Sequence, residues 1–213
     1  MEEILWKIKG FLTEPTKTFR KVKKEGIGEG IKYYALLALI YSILDMVGTL
    51  HYGSKLTPPT VEMFTGLGVI ITIIFMYVGM FVGVFIGSML LHLFVWVLGG
   101  KMGYEETLKS CLYGSTPVLL FGWIASISNF FPEQLALVIL GIGITVMAAI
   151  WTLLLNIIGL SELQKMSRGK AFLAIMLEIV VILVFAALTG FWLLSIMETS
   201  NLGMSPNATA PLI

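Results

Sequence analysis

Five side chains able to bond or titrate stand inside stretches built otherwise from Leu, Ile, Val, Phe and Gly: Asp45, His92, Tyr113, Asn156 and Glu178. An ionisable group at membrane depth costs several kcal/mol unless it has a partner or water, which makes each of these a functional candidate. Two chemistries are open to them. A carboxylate, an imidazole and an amide at one depth can line a polar path for a solute, an ion or a lipid headgroup. The structural alternative is that each makes a hydrogen bond between helices, worth about 0.6 kcal/mol on average.

The elements that position these residues are five long apolar stretches, at about 32–50, 66–98, 107–128, 134–160 and 171–197. Each is compatible with the ~17–25 residues a helix needs to cross ~30 Å of hydrocarbon. Lipid offers no hydrogen-bond partners, so the backbone must satisfy its own donors and acceptors within the segment. The composition agrees: 57% apolar residues, 13% charged residues and a mean hydropathy of +0.93 exclude an ordinary soluble globule. The fold expected is an all-α, polytopic bundle of five membrane-spanning helices.

Orientation follows from Lys and Arg. Eight precede or border the first stretch (Lys7, Lys9, Lys17, Arg20, Lys21, Lys23, Lys24 and Lys32), and Lys55 stands alone in the next interval. Lys101 and Lys109 follow the second stretch, and Lys165, Arg168 and Lys170 follow the fourth. Alternate intervals therefore hold thirteen and one of the fourteen. The positive-inside rule places the N-terminus and the loops after stretches two and four in the cytoplasm, with the C-terminus outside. An Asn-Ala-Thr sequon at Asn207 is compatible with that tail but is short enough to arise by chance.

This topology sets depths. His92 lies about two helical turns before the cytoplasmic end of its span, Asn156 about one turn before, and Glu178 about two turns after. Tyr113 lies at a similar level, whereas Asp45 sits near the outer end of the first span. A polar cavity in the inner leaflet around Glu178, Asn156 and His92 is one expectation, although His92 points well away from the glycine face of its own helix.

Small residues suggest how the spans pack. Gly68, Gly79, Gly83 and Gly87 share a face of the second span with Thr72, and Gly141 and Gly159 share one of the fourth with Thr145, Ala148, Thr152 and Asn156. Such stripes let helix backbones approach closely. The expectation is that spans two and four touch. Tyr34, Ala38, Tyr41, Ser42, Asp45, Gly48 and Thr49 give the first span a polar side that should face protein.

Residues 1–30 form the first of three expected regions, followed by the bundle at 31–197 and a tail at 198–213. Ile4, Leu5, Ile8, Phe11 and Leu12 recur at helical spacing, with Lys7 and Lys9 on other faces, so an amphipathic helix on the cytoplasmic membrane surface is expected. Interruption by charge argues against a cleaved signal segment. Pro15 ends that helix, and Gly26, Gly28 and Gly30 read as a hinge. Lys17, Arg20, Lys21, Lys23 and Lys24, with Lys165, Arg168 and Lys170, are candidates for binding anionic headgroups at up to about 1 kcal/mol each.

Enzyme signatures are missing: there is no phosphate-binding glycine loop, no HExxH and no GxSxG. One cysteine, Cys111, and two histidines cannot build an ordinary Cys/His zinc site, and no cofactor or metal is expected. No basic-aromatic surface for nucleic acid is present.

The segment Leu98-Gly99-Gly100-Lys101-Met102-Gly103-Tyr104-Glu105-Glu106-Thr107-Leu108, followed by Tyr113-Gly114-Ser115-Thr116-Pro117, resembles a junction of the Yip1-domain membrane proteins. So do the turn Ile158 to Ala171 and the entry Glu14-Pro15 with Phe19. The resemblance spans roughly residues 11–195 and implies five helices with a cytoplasmic N-terminus. It also implies a non-enzymatic role. Eukaryotic members act in Golgi and endoplasmic-reticulum traffic, associating with Rab GTPases and with one another. The N-terminal segment here is shorter than theirs, so the chain looks more like a prokaryotic, for instance archaeal, member of the plasma membrane, for which a Rab-type GTPase is a poor fit. The expected role is membrane organisation or scaffolding, with lipids, other membrane proteins or further copies as partners. The alternative is a transporter, channel or lipid-moving protein, with a third span kinked near Pro117 as its moving part.

Overall fold

The computed structural model describes residues 2–53, 67–131 and 133–203. Lys55 and the sequon at Asn207 lie outside them. Among the described residues the chain is helical with no strand: α1 Glu2–Thr13, α2 Pro15–Val22, α3 Ile27–Gly53, α4 Leu67–Val97, α5 Tyr104–Gly114, α6 Thr116–Phe121, α7 Ile124–Ile127, a 3-10 turn Ser128–Phe130, α8 Leu135–Leu163 and α9 Arg168–Gly203. Among the described residues five segments are long and apolar enough to cross a membrane, namely α3, α4, the run α5 to α7, α8 and α9.

The broken third span occupies the centre. α5 packs against α3, α4 and α8, and α6 and α7 pack against α3 and α8. Leu108, Lys109, Ser110, Leu112, Tyr113, Thr116 and Leu119 are all buried. The break has a local cause. Pro117 carries no N–H, which leaves the carbonyl of Tyr113 without its helical donor; the Thr116 hydroxyl takes that carbonyl at 2.6 Å. Ser115 Oγ similarly bonds the Cys111 carbonyl at 2.7 Å.

Spans two and four do not form the contact that their small faces suggested. The main neighbours of α4 are α3, α5 and α9, while α8 packs on α2, α5, α6, α7 and α9. Gly79 and Gly83 face open space, and Gly87 looks toward Glu178. The fourth span does use its small residues, but on other partners. A Cβ at Gly141 would sit 3.3 Å from the Ala125 backbone, and one at Gly159 would fall 2.8 Å from the Phe19 ring. Glycine spacing reports that something comes close without saying which element it is.

The N-terminal segment is not only a surface helix: Leu5 and Trp6 of α1 stay exposed, while its other side enters the core. α1 packs against α2 and α6, α2 lies along α8, and Phe11, Phe19 and Val22 are fully buried. Phe11 stacks on Tyr113 with ring centroids 5.2 Å apart and meets Phe19 edge-on at 4.9 Å. Lys7 is buried beside them, whereas Leu5 is exposed. The side of α1 carrying Lys7 and Phe11 therefore faces the bundle. Nor do the glycines form a hinge: α3 begins at Ile27 and includes Gly28 and Gly30, and a Cβ on Gly30 would press on Leu112 at 3.3 Å. Tyr34, Ala38 and Ser42 are buried, so the polar side of the first span does face protein.

Candidate functional site

The candidate residues fall into four places rather than one. The first lies at the end of the bundle that carries the basic loops. Tyr113 Oη donates to Glu25 Oε2 at 2.7 Å, and Lys7 Nζ pairs with the same oxygen at 2.9 Å and with Glu3 at 2.9 Å. Lys109 Nζ donates to the Glu25 carbonyl at 3.0 Å and pairs with Glu106 at 2.7 Å. Burial pulls the Lys7 ammonium toward its neutral form, but hydrogen bonds and charge from Glu3 and Glu25 outweigh it and raise its pKa above the usual lysine value. Lys7 is therefore cationic at neutral pH. This network ties α1 and the turn after α2 to the central helix. Of its members, only Tyr113 stood out in an apolar stretch. Lys7 and Lys109 read as topology charges, because in sequence a buried lysine and a solvated one look alike.

A second place centres on Gln164, a fully buried side chain that no sequence pattern marked. Its Nε2 donates to the Gly103 carbonyl and to Thr107 Oγ1, both at 2.9 Å, and its Oε1 accepts from the Met102 N–H at 3.0 Å. Its own carbonyl accepts from Lys101 N–H at 3.2 Å. The end of α8 thus clamps the loop between α4 and α5. His92 joins here: its Nδ1 bonds Thr107 Oγ1 at 2.8 Å and its ring meets Tyr104 edge-on. His92 ties α4 to the start of α5 and does not line the cleft that holds Asn156.

The third place is a cleft of about 240 Å³ between α4, α5, α8 and α9, lined by Leu91, Cys111, Ser115, Thr152, Asn156 and Glu178 among others. Here two of the candidates, Asn156 and Glu178, do come together. Asn156 Nδ2 donates to the Thr152 carbonyl at 3.0 Å, while Asn156 Oδ1 and Thr152 Oγ1 are buried without partners. Gly114 makes room for the amide: a Cβ there would lie 2.6 Å from Asn156 Oδ1.

Asp45 forms the fourth, at the opposite end of the bundle, where Ser126 Oγ donates to its carboxylate. Gly48 admits the Ser126 backbone beside it. This bond braces α3 against α7.

The basic residues divide as well. Arg20 bonds Glu162 through Nε at 3.0 Å and through a second nitrogen at 3.1 Å. Lys23 donates to the Glu162 carbonyl, Lys17 pairs with Glu14, and Lys21 lies over the Trp6 ring. Arg168 reaches Thr16 Oγ1 at 3.4 Å. Lys24, Lys101, Lys165 and Lys170 are exposed with no carboxylate within ion-pair distance among the described residues. Loops two and four meet: Gly99, at φ 89°, turns toward Lys170 Nζ, and Lys165 also has positive φ. Among the described residues no group of His, Cys, Asp and Glu could hold a metal ion.

A family model, the Yip1 domain, matches residues 9–189. No curated protein and no solved structure matches the chain.

Proposed function

Because this chain belongs to the Yip1-domain family of membrane proteins, we propose that it is a non-enzymatic scaffold that organises membrane at its basic end. The observation that carries this reading is one continuous platform there. The α1–α2 hairpin is pinned by Phe11, Phe19 and the Lys7–Glu25–Tyr113 network, and the two basic loops are joined through Gln164. Lys24, Lys101, Lys165, Arg168 and Lys170 project from that platform without carboxylate partners among the described residues. Exposed cations on a fixed frame suit anionic headgroups or an acidic face of another membrane protein. The platform faces the cytoplasm in this reading, and the membrane is the plasma membrane.

The test uses the whole protein in vesicles containing phosphatidylglycerol. Wild type should enrich the anionic lipid around itself, in a salt-sensitive way, and replacing Lys101, Lys165, Arg168 and Lys170 together by Gln should remove the enrichment. Equal lipid surroundings for both proteins would refute the reading. The transport alternative draws on the cleft at Glu178. It would gain support from solute or lipid flux through proteoliposomes that Glu178→Gln abolishes.

A further inference from the structure

The cleft beside Glu178 presents an unbalanced set of groups. Thr72, Thr145 and Thr189, inside the same membrane helices, each donate to the carbonyl four residues back. Thr152 does not: its Oγ1 is buried with no partner, as is Asn156 Oδ1. Glu178 adds a carboxylate to the same lining, and no Lys, Arg or His lines the cleft. Unpartnered lone pairs and an uncompensated acid in a low-dielectric region call for a cation with several N–H donors. Asn156 has committed one of its two amide hydrogens to the Thr152 carbonyl and, being neutral, brings no charge to balance Glu178.

A second hollow runs away from Glu178 toward the middle of the membrane. It lies between α4 and α9, is about 380 Å³ in volume, and is lined by Leu90, Val181, Ile182, Phe185 and Ala186. Ile182 and Phe185 follow Glu178 at i+4 and i+7, on the same face of α9. The polar cleft lies nearer the basic end, and the lining of the apolar groove begins one helical turn farther along α9, in the direction that acyl chains run from a headgroup at that end. Head and tail requirements thus meet on one helix face.

We infer that the cleft and the groove together bind a lipid with a primary-ammonium headgroup, its nitrogen on Glu178, Asn156 and Thr152 and an acyl chain between α4 and α9. A primary ammonium carries three N–H donors, matching the three groups, whereas a quaternary choline nitrogen carries none. This binding is independent of the basic platform, so either can fail without the other.

The experiment equilibrates the full chain with vesicles of equal phosphatidylethanolamine and phosphatidylcholine, then counts the lipids retained after detergent washing by mass spectrometry. Retention of phosphatidylethanolamine should exceed that of phosphatidylcholine by about fivefold, the scale of one net hydrogen bond. Glu178→Gln should bring the ratio to parity, and the isosteric Thr152→Val should lower it in part. If Glu178→Gln does not fold, Thr152→Val and a groove-filling Ala186→Phe take its place. Equal retention of the two lipids by wild type overturns the proposal.

Cys111, the single cysteine of the chain, lines the cleft and supplies a second measurement. Its modification by methyl methanethiosulfonate should slow in phosphatidylethanolamine vesicles relative to phosphatidylcholine vesicles. Free ethylamine at matched concentration should leave the rate unchanged. Protection by ethylamine equal to that by the lipid would overturn the lipid assignment in favour of a soluble-amine site.

Discussion

The third and fifth spans solve opposite problems. The third, α5 to α7, contains Lys109, Ser110, Tyr113, Ser115 and Thr116 within little more than two turns, and Lys109, Ser110, Tyr113 and Thr116 are buried. The fifth is almost purely apolar from Ile179 to Leu194, and Leu183, Phe185 and Phe191 stand 62%, 71% and 75% exposed. In water this would be inverted. In a bilayer the lipid accepts apolar side chains at no cost, so the outer helices can be uniformly apolar, and polar groups are sent inward where other helices satisfy them. Burial in such a protein tracks polarity, and the most polar span is its core.

That contrast can be tested by substituting both sides of it. Lys109→Ala removes one partner of a buried, hydrogen-bonded pair and should cost about 3–5 kcal/mol, read as a large drop in thermal midpoint in detergent. Leu183→Ala, a nominally larger loss of apolar surface, should shift stability by no more than about 0.5 kcal/mol. Equal effects of the two would break the comparison. Gly159→Val forces a side chain against Phe19 and Ser110 and should cost about 1–3 kcal/mol. Its specific sign is release of α2, seen as faster protease cleavage near Thr13 and Pro15. Tyr113→Phe deletes only the hydroxyl that donates to Glu25 and should cost about 1–3 kcal/mol, toward the lower end because Lys7 still holds that carboxylate. Unlike the other glycine change, Gly83→Ala meets open space and should be neutral or stabilising by up to about 1 kcal/mol. A marked loss at Gly83 would mean that another helix, such as one from a second copy, covers that face.

The fold class and number of crossings were legible because hydrocarbon thickness imposes a length that any apolar run displays. The polar candidates were legible one by one, since Asp45, Asn156 and Glu178 interrupt apolar surroundings. Their grouping was not. Depth grouped Asn156, Glu178 and His92; the first two line one cleft, whereas His92 turned to Thr107 instead. Depth constrains one coordinate and leaves the rotation of each helix open. The glycine faces failed as a guide for the same reason, because Gly159 accommodates Phe19 from a helix that its spacing does not mention.

From its residues alone, this chain determines that it crosses a membrane with five helices, since the length and apolarity of each segment are local properties that lipid reads directly. Only the tertiary structure decides that Lys7 and Lys109 are interior and meet at Glu25, that Gln164 holds a loop, and that Glu178 shares a cleft with Thr152. Those facts depend on which helix stands beside which. Hydropathy cannot supply that, because a side chain buried against protein and one buried in lipid have both left water.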